Sequence, residues 1–302
     1  MIVWAVPLIA LLLPGDALTT ARGQVRRGDC HAAVETLMPV VQSGTKPVED
    51  APIQLLAACL ERLGQADRAV ETLRDGLRAN PHSAALKKTL GEVLFRQAPD
   101  NAEAGQLLSD AVKDDPLDPE TRHYYAQWAS LNNRDQICAD QEQAAVKLHG
   151  LNDIALLQMY SLLGICLSHL EQTEPADSAF QKALEIDLRQ RPFNAAMAYQ
   201  YIQFLTNHGK TEQAEKVIEE TLHRSPNFGP AHLERAKSFD HERQTEKVIE
   251  EATAALAGDG DDDANVRAAH VLLAKSYFIL GKTKEAEAEQ QWVESHASAT
   301  QP

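Results

Sequence analysis

The chain has 302 residues, of which 44% are hydrophobic, 24% charged and only 5% aromatic. Its 29 Lys and Arg against 44 Asp and Glu leave a net charge of −15, which repels phosphate backbones and anionic lipid headgroups. Few aromatics argue against a base-stacking surface, and the hydrophobic content is too high for a disordered chain.

The first element in chain order is an apolar run from Ile2 to Leu13, interrupted by Pro7. About twelve residues is the length of the hydrophobic region of an export signal and too short to cross a bilayer as a helix. Small residues suited to cleavage follow at Ala17 and Ala21. Residues 1–21 are therefore expected to be a signal peptide, and the chain to be exported to a bacterial periplasm. No other stretch approaches 18 apolar residues, so no membrane span is expected after cleavage. No Lys or Arg precedes the run; the alternative is a hydrophobic first helix of a cytoplasmic protein.

From about residue 50 the chain repeats itself. Leu55–Gly64, Leu162–Glu171 and Leu272–Gly281 each place a small residue after a large apolar one, then another large apolar residue three positions on, then a turn. Apolar positions at i, i+3, i+4 and i+7 predict helices. A second helix follows each turn, as in Asp67–Leu77 and Ala176–Leu184, where Ala176 and Ala183 straddle Phe180. Pro81, Pro116 and Pro226 then break the chain, because proline cannot continue a helical ladder. The small-residue position of the first helix recurs at Ala57, Gly91, Ala126, Gly164, Ile202, Ala236 and Ala274, in steps of 34, 35, 38, 38, 34 and 38, with Ile202 larger than the pattern expects. This predicts seven units, about 50–83, 84–118, 119–152, 157–190, 195–228, 229–262 and 267–300. Gly28, Ala33, Leu37 and Val40 predict a degenerate or partial copy over 22–49.

A helix–turn–helix unit on this period resembles the tetratricopeptide repeat family. The resemblance implies an all-α fold: an α-solenoid of stacked units in a right-handed superhelix, with a concave groove lined by the first helices. It implies a scaffold or adaptor that binds a protein or peptide partner, not an enzyme, with no cofactor and no nucleic acid. The alternative is a regulatory or positioning subunit of an envelope enzyme, or of secretion or polysaccharide machinery. The usual Trp of each first helix is replaced by Ile53, Lys87, Arg122, Tyr160, Ala198, His232 and His270, and Ala129 is smaller than the usual aromatic. Glu142 and Gln290 stand where a large apolar residue is expected in the second helix. Helix phase places Gln54, Ala58, Arg62, Lys88, Glu92, Arg96, His123, Gln127, Tyr199, Gln203, Asn207 and Lys237 on the groove. Arg62, Lys88 and Arg96 supply cations, but the Asn partners of a carboxylate clamp are missing. At the far end Phe278 and Ile279 lack a following repeat to cover them, and the polar last helix reads as a solubilising cap.

Cys30 and Cys59 lie at the start of one second helix and late in the next first helix; Cys138 and Cys166 repeat the arrangement. Antiparallel neighbours bring such positions together, so disulfides Cys30–Cys59 and Cys138–Cys166 are expected in an exported chain. Buried free thiols are the alternative. No Cys/His cluster has metal-ligand spacing, and the eleven histidines look scattered. The acidic run Gly258–Asn265 has His270 where a calcium loop needs a Glu, and reads as a solvated turn. His241-Glu242 lacks the second His of a zinc-protease helix, and neither a phosphate loop nor a nucleophile elbow is present.

Overall fold

The computed structural model describes residues 14–42, 49–260 and 262–296. The expected apolar run thus lies outside the described residues. Two compact units divide the chain, Met1–Leu151 and Asn152–Pro302. The first holds α1 (Pro14–Arg26), α2 (Cys30–Gln42), α3 (Asp50–Arg62), α4 (Ala66–Ala79), α5 (Ala84–Gln97), α6 (Ala102–Asp114), α7 (Pro119–Leu131) and α8 (Asp135–Ala145). The second holds α9 (Asp153–His169), α10 (Thr173–Asp187), α11 (Ala195–Asn207), α12 (Thr211–Arg224), α13 (Gly229–His241), α14 (Thr245–Ala257), α15 (Asp263–Ile279) and α16 (Thr283–Ser295). Among the described residues the fold is all-α, a solenoid of helical hairpins with no strand and no helix long and apolar enough to cross a membrane.

Local chemistry sets where these helices start and stop. Asn101, Asp118, Asn152 and Asp262 each accept a backbone N–H from the first turn they precede, satisfying groups that have no partner within the helix. Helices α3 and α4 are joined by a tight turn in which Gly64 takes φ +71°, so that the Gln65 N–H returns to the Leu60 carbonyl at 2.8 Å. Asn133, Glu171 and Arg243 hold the same left-handed position in other hairpins, with φ of 55°, 57° and 61°. The turn is therefore set by the stacking geometry and tolerates residues other than glycine.

Within each unit, every helix packs on its hairpin partner, and each second helix packs on the next first helix. First helices also touch the next first helices, whereas no two second helices touch among the described residues. Closer spacing on one side bends each stack, so the first helices form its inner face. Small residues make the close approaches possible. A Cβ on Gly91 would lie 2.8 Å from Leu108, one on Gly105 2.2 Å from the Trp128 ring, and one on Gly164 2.9 Å from Phe180. The period recognised in the sequence is thus the period at which a knob meets a hole.

Helices α1 and α2 form a whole hairpin, with Gly28 at φ +82° in its turn and Ala33 and Leu37 fully buried. Ala17 and Ala21, the expected cleavage positions, lie inside α1 and are fully buried, with α1 packed on α2 and α3. At the other end Phe278 is 74% and Ile279 57% exposed.

Candidate functional site

The inner face of the first unit is built from α3, α5 and α7. Gln54 and Arg62 lie on α3, Lys88, Glu92 and Arg96 on α5, and Gln127 on α7. The spacing 88, 92, 96 puts three charges in one line along α5. Neighbouring helices answer them. Arg96 Nη2 donates to both Glu61 carboxylate oxygens, at 2.8 and 3.0 Å, tying α5 to α3. Lys88 Nζ donates to Asp118 Oδ2 at 3.2 Å and to Glu120, tying α5 to α7. Gln54 Nε2 donates to Thr89 Oγ1 at 2.8 Å and to the Ala85 carbonyl. Lys88 and Arg96 therefore staple adjacent repeats together and do not stand as free cations for an anionic ligand.

Glu92 sits between them. Burial pushes its carboxyl up to about 7; Lys88 and Arg96 pull it down, and Glu120 adds repulsion. Burial works against the charge of Lys88, yet Glu120 and Asp118 hold it above its ordinary value. Tyr124, half-buried beside this cluster, is raised by burial and by Glu92. The result is a mixed-charge surface in which cations and carboxylates are balanced locally. Glu61, Asp118, Glu120 and Tyr124 belong to it and were missed in the sequence. Their positions follow from how far one hairpin rotates onto the next, which helical phase alone does not contain.

His123, expected on the groove, does not face it. Its ring turns into the α7/α8 hairpin, 9% exposed, with Nδ1 2.5 Å from Glu142 Oε1 and Nε2 3.0 Å from Gln127 Nε2. Glu142 fills the place expected for a large apolar side chain. It is fully buried, and its Oε2 has no hydrogen-bond partner. Three of the eleven histidines share a pattern: His232–Glu251 and His270–Glu289, at 2.7 and 2.5 Å, repeat the first-helix to second-helix pairing of His123 with Glu142. All three pairs are separated by 19 residues, a spacing that could have been found in the sequence. His232 is held above its ordinary value chiefly by that hydrogen bond to Glu251.

Burial holds the Glu142 carboxyl above its ordinary 4.5, against the pull of His123. A carboxyl whose folded value exceeds its unfolded one favours the fold fully below the unfolded value, and that contribution is lost as pH rises through the raised value. Glu142→Gln keeps a hydrogen-bonding group toward His123 and removes the titration. The wild type is expected to lose stability relative to Glu142→Gln as pH rises above 4.5. Urea unfolding at pH 4.5 and 7.5 checks this, and equal pH dependence of the two proteins would overturn it.

In the second unit Tyr199, Gln203 and Asn207 lie on α11 and Lys237 on α13. Tyr199 Oη donates to Asn265 Oδ1 of α15 at 3.5 Å, and its ring meets Phe228 edge-on at 6.1 Å. Burial raises the Tyr199 hydroxyl. Gln203 and Asn207 are exposed, while Lys237 Nζ donates to Glu234 Oε1 at 2.8 Å. The acidic turn is partly structural: the Asp259 N–H bonds the Asn227 carbonyl at 2.7 Å, and Asp262 caps α15. Among the described residues no group of three or more His, Cys, Asp or Glu converges as a metal site.

Cys30 and Cys59 are buried free thiols in this structure, where a disulfide was expected; Cys59 is hydrogen-bonded to Cys30. The two sulfurs stand in the dithiol form at the α2–α3 contact. Burial first, then the neighbouring Cys30, pushes the Cys59 thiol up to about 11. Cys138 is buried in α8 of the first unit and Cys166 in α9 of the second.

Residues 60–119 and 157–190 match the sequence profiles of the tetratricopeptide repeat. No curated protein sequence matches the chain. Among solved structures it is similar to the C-terminal part of a TPR repeat-containing protein from Cytophaga hutchinsonii, with TM-score 0.61 and 15% identity over 83% of this chain and 98% of that one. A tetratricopeptide repeat protein from Parabacteroides merdae gives TM-score 0.57 and 11% identity, over 86% and 98%. YrrB, described as a TPR protein with an unusual peptide-binding site, gives TM-score 0.54 and 18% identity, over 66% and 97%. At such identities the likeness is one of fold.

Proposed function

From the premise that the chain is a tetratricopeptide-repeat protein, we propose that it is an exported scaffold or adaptor that holds a protein or peptide partner against its first helices. The observation that carries this reading is the inner face itself. First helices pack on first helices in both units, and in the first unit they present polar, charge-balanced side chains where a solenoid offers its concave surface. The peptide-binding site described for the fold neighbour YrrB supports the same use of such a surface. Export rests on the apolar run 2–13 and the small residues behind it.

The test compares capture of partners from envelope extract by the wild type and by an Arg62→Ala/Tyr124→Ala variant. These residues are chosen because neither staples one repeat to the next. A partner held by the wild type is expected to fall at least tenfold in the variant; equal retention would move binding off the inner face. N-terminal sequencing checks export, which an intact Met1 in a cytosolic fraction would overturn.

A further inference from the structure

The second unit contains a cleft of about 260 Å³ where the α11/α12 hairpin meets α13. Its floor is apolar, from Ala214 and Ile218 of α12, exposed by 4% and 2%. Pockets for drug-sized ligands run to roughly 300–1,000 Å³, so this one suits a single long side chain. Three carboxylates line it, Glu215, Glu234 and Glu242, against Lys237 and His241.

The charges do not cancel. Lys237 is committed to Glu234. Glu215 is half-buried and makes no hydrogen bond or ion pair among the described residues. Its strongest cationic neighbour, Arg235, is committed to Glu251 at 2.6 Å. Burial pushes the Glu215 carboxyl above its usual range, and Glu242, Glu219 and Glu251 add repulsion. An apolar slot whose wall carries a carboxylate that Arg235 attracts only through space, without a direct ion pair, is complementary to a side chain with an aliphatic stem and a cationic head.

We propose that this cleft takes a lysine or arginine side chain from a basic segment of a partner protein, the stem on Ala214 and Ile218 and the head between Glu215 and Glu242. This rests on the reading of the chain as a partner-binding scaffold and adds the chemistry of the partner. The net charge of −15 would draw such a segment in from solution.

Fluorescein-labelled hexalysine and hexaglutamate, titrated at 50 and 150 mM salt and followed by anisotropy, serve as probes. Hexalysine is expected to bind and hexaglutamate not to. Glu215→Gln/Glu242→Gln should weaken hexalysine binding at least tenfold. Glu285→Gln/Glu287→Gln, the same loss of charge on the exposed face of α16, should change it less than twofold. Equal weakening by the two variants would reduce the effect to bulk charge and overturn the proposal, as would no hexalysine binding or no loss in the cleft variant. Far-ultraviolet circular dichroism and urea midpoints establish that both variants are folded. A chain that still captures its partner through the inner face, yet ignores hexalysine, loses this proposal and keeps the scaffold reading.

Discussion

Replacing Phe180 by alanine is expected to lower the stability of the second unit by about 3–5 kcal/mol, the usual cost of removing a buried aromatic ring. Phe180 of α10 is 2% exposed and lies over the bare backbone of Gly164 in α9. Its ring is stacked on Tyr201 at 5.5 Å and tilted against Phe204 at 5.2 Å, both on α11. One side chain thus fills the hairpin α9/α10 and also the contact to the next hairpin. Tyr201 is held in place by donating to Asp177 Oδ1, while Lys210 Nζ donates to Asp177 Oδ2 at 2.6 Å, so the cluster cannot simply collapse inward. Phe278→Ala is the matched control, since that ring is 74% exposed and its loss should fall within about 0.5 kcal/mol. Urea unfolding followed by circular dichroism reads both. A Phe180→Ala cost below about 1 kcal/mol would mean that the ring does not join the two hairpins.

Oxidation of Cys30 and Cys59 is expected to stabilise the first unit by about 3–4 kcal/mol, the chain-entropy value for closing a loop of roughly thirty residues. The two thiols lose two protons and two electrons to a disulfide such as oxidised glutathione, which leaves as two thiols, and one S–S bond forms between α2 and α3. With its thiol pushed up to about 11, Cys59 offers little thiolate at neutral pH, so oxidation belongs to folding in an oxidising compartment rather than to the finished fold. Chain isolated after export should therefore show the Cys30–Cys59 bond in a non-reducing peptide map, and cytosolic chain should not. The same map reads the Cys138–Cys166 bond expected from the sequence. Four thiols alkylated after unfolding of exported protein would overturn both pairs, and a reduced chain as stable as the oxidised one would overturn the magnitude.

Much of this molecule was legible in the residue order because hairpin repeats are local. The apolar spacing, the small residues at Gly91 and Gly164, and the turns at Gly64 and Gly281 lie within one or two hairpins of what they pack against, so a period along the chain is a period in space. That determined the all-α class and the stack of hairpins, while the inner position of the first helices was implied only by the resemblance to the repeat family. What only the tertiary structure decided depends on the rotation and offset of one hairpin on the next, quantities that leave no periodic trace. They made Lys88 and Arg96 staples rather than free cations, and they turned His123 inward onto Glu142. They also left Glu215 beside an apolar floor with no direct ion pair among the described residues. Apolar burial is averaged over a helix face and survives small shifts, whereas an ion pair is made or lost within an ångström or two. The fold was accordingly written in the pattern of the sequence, and the chemistry of its surfaces in the stacking.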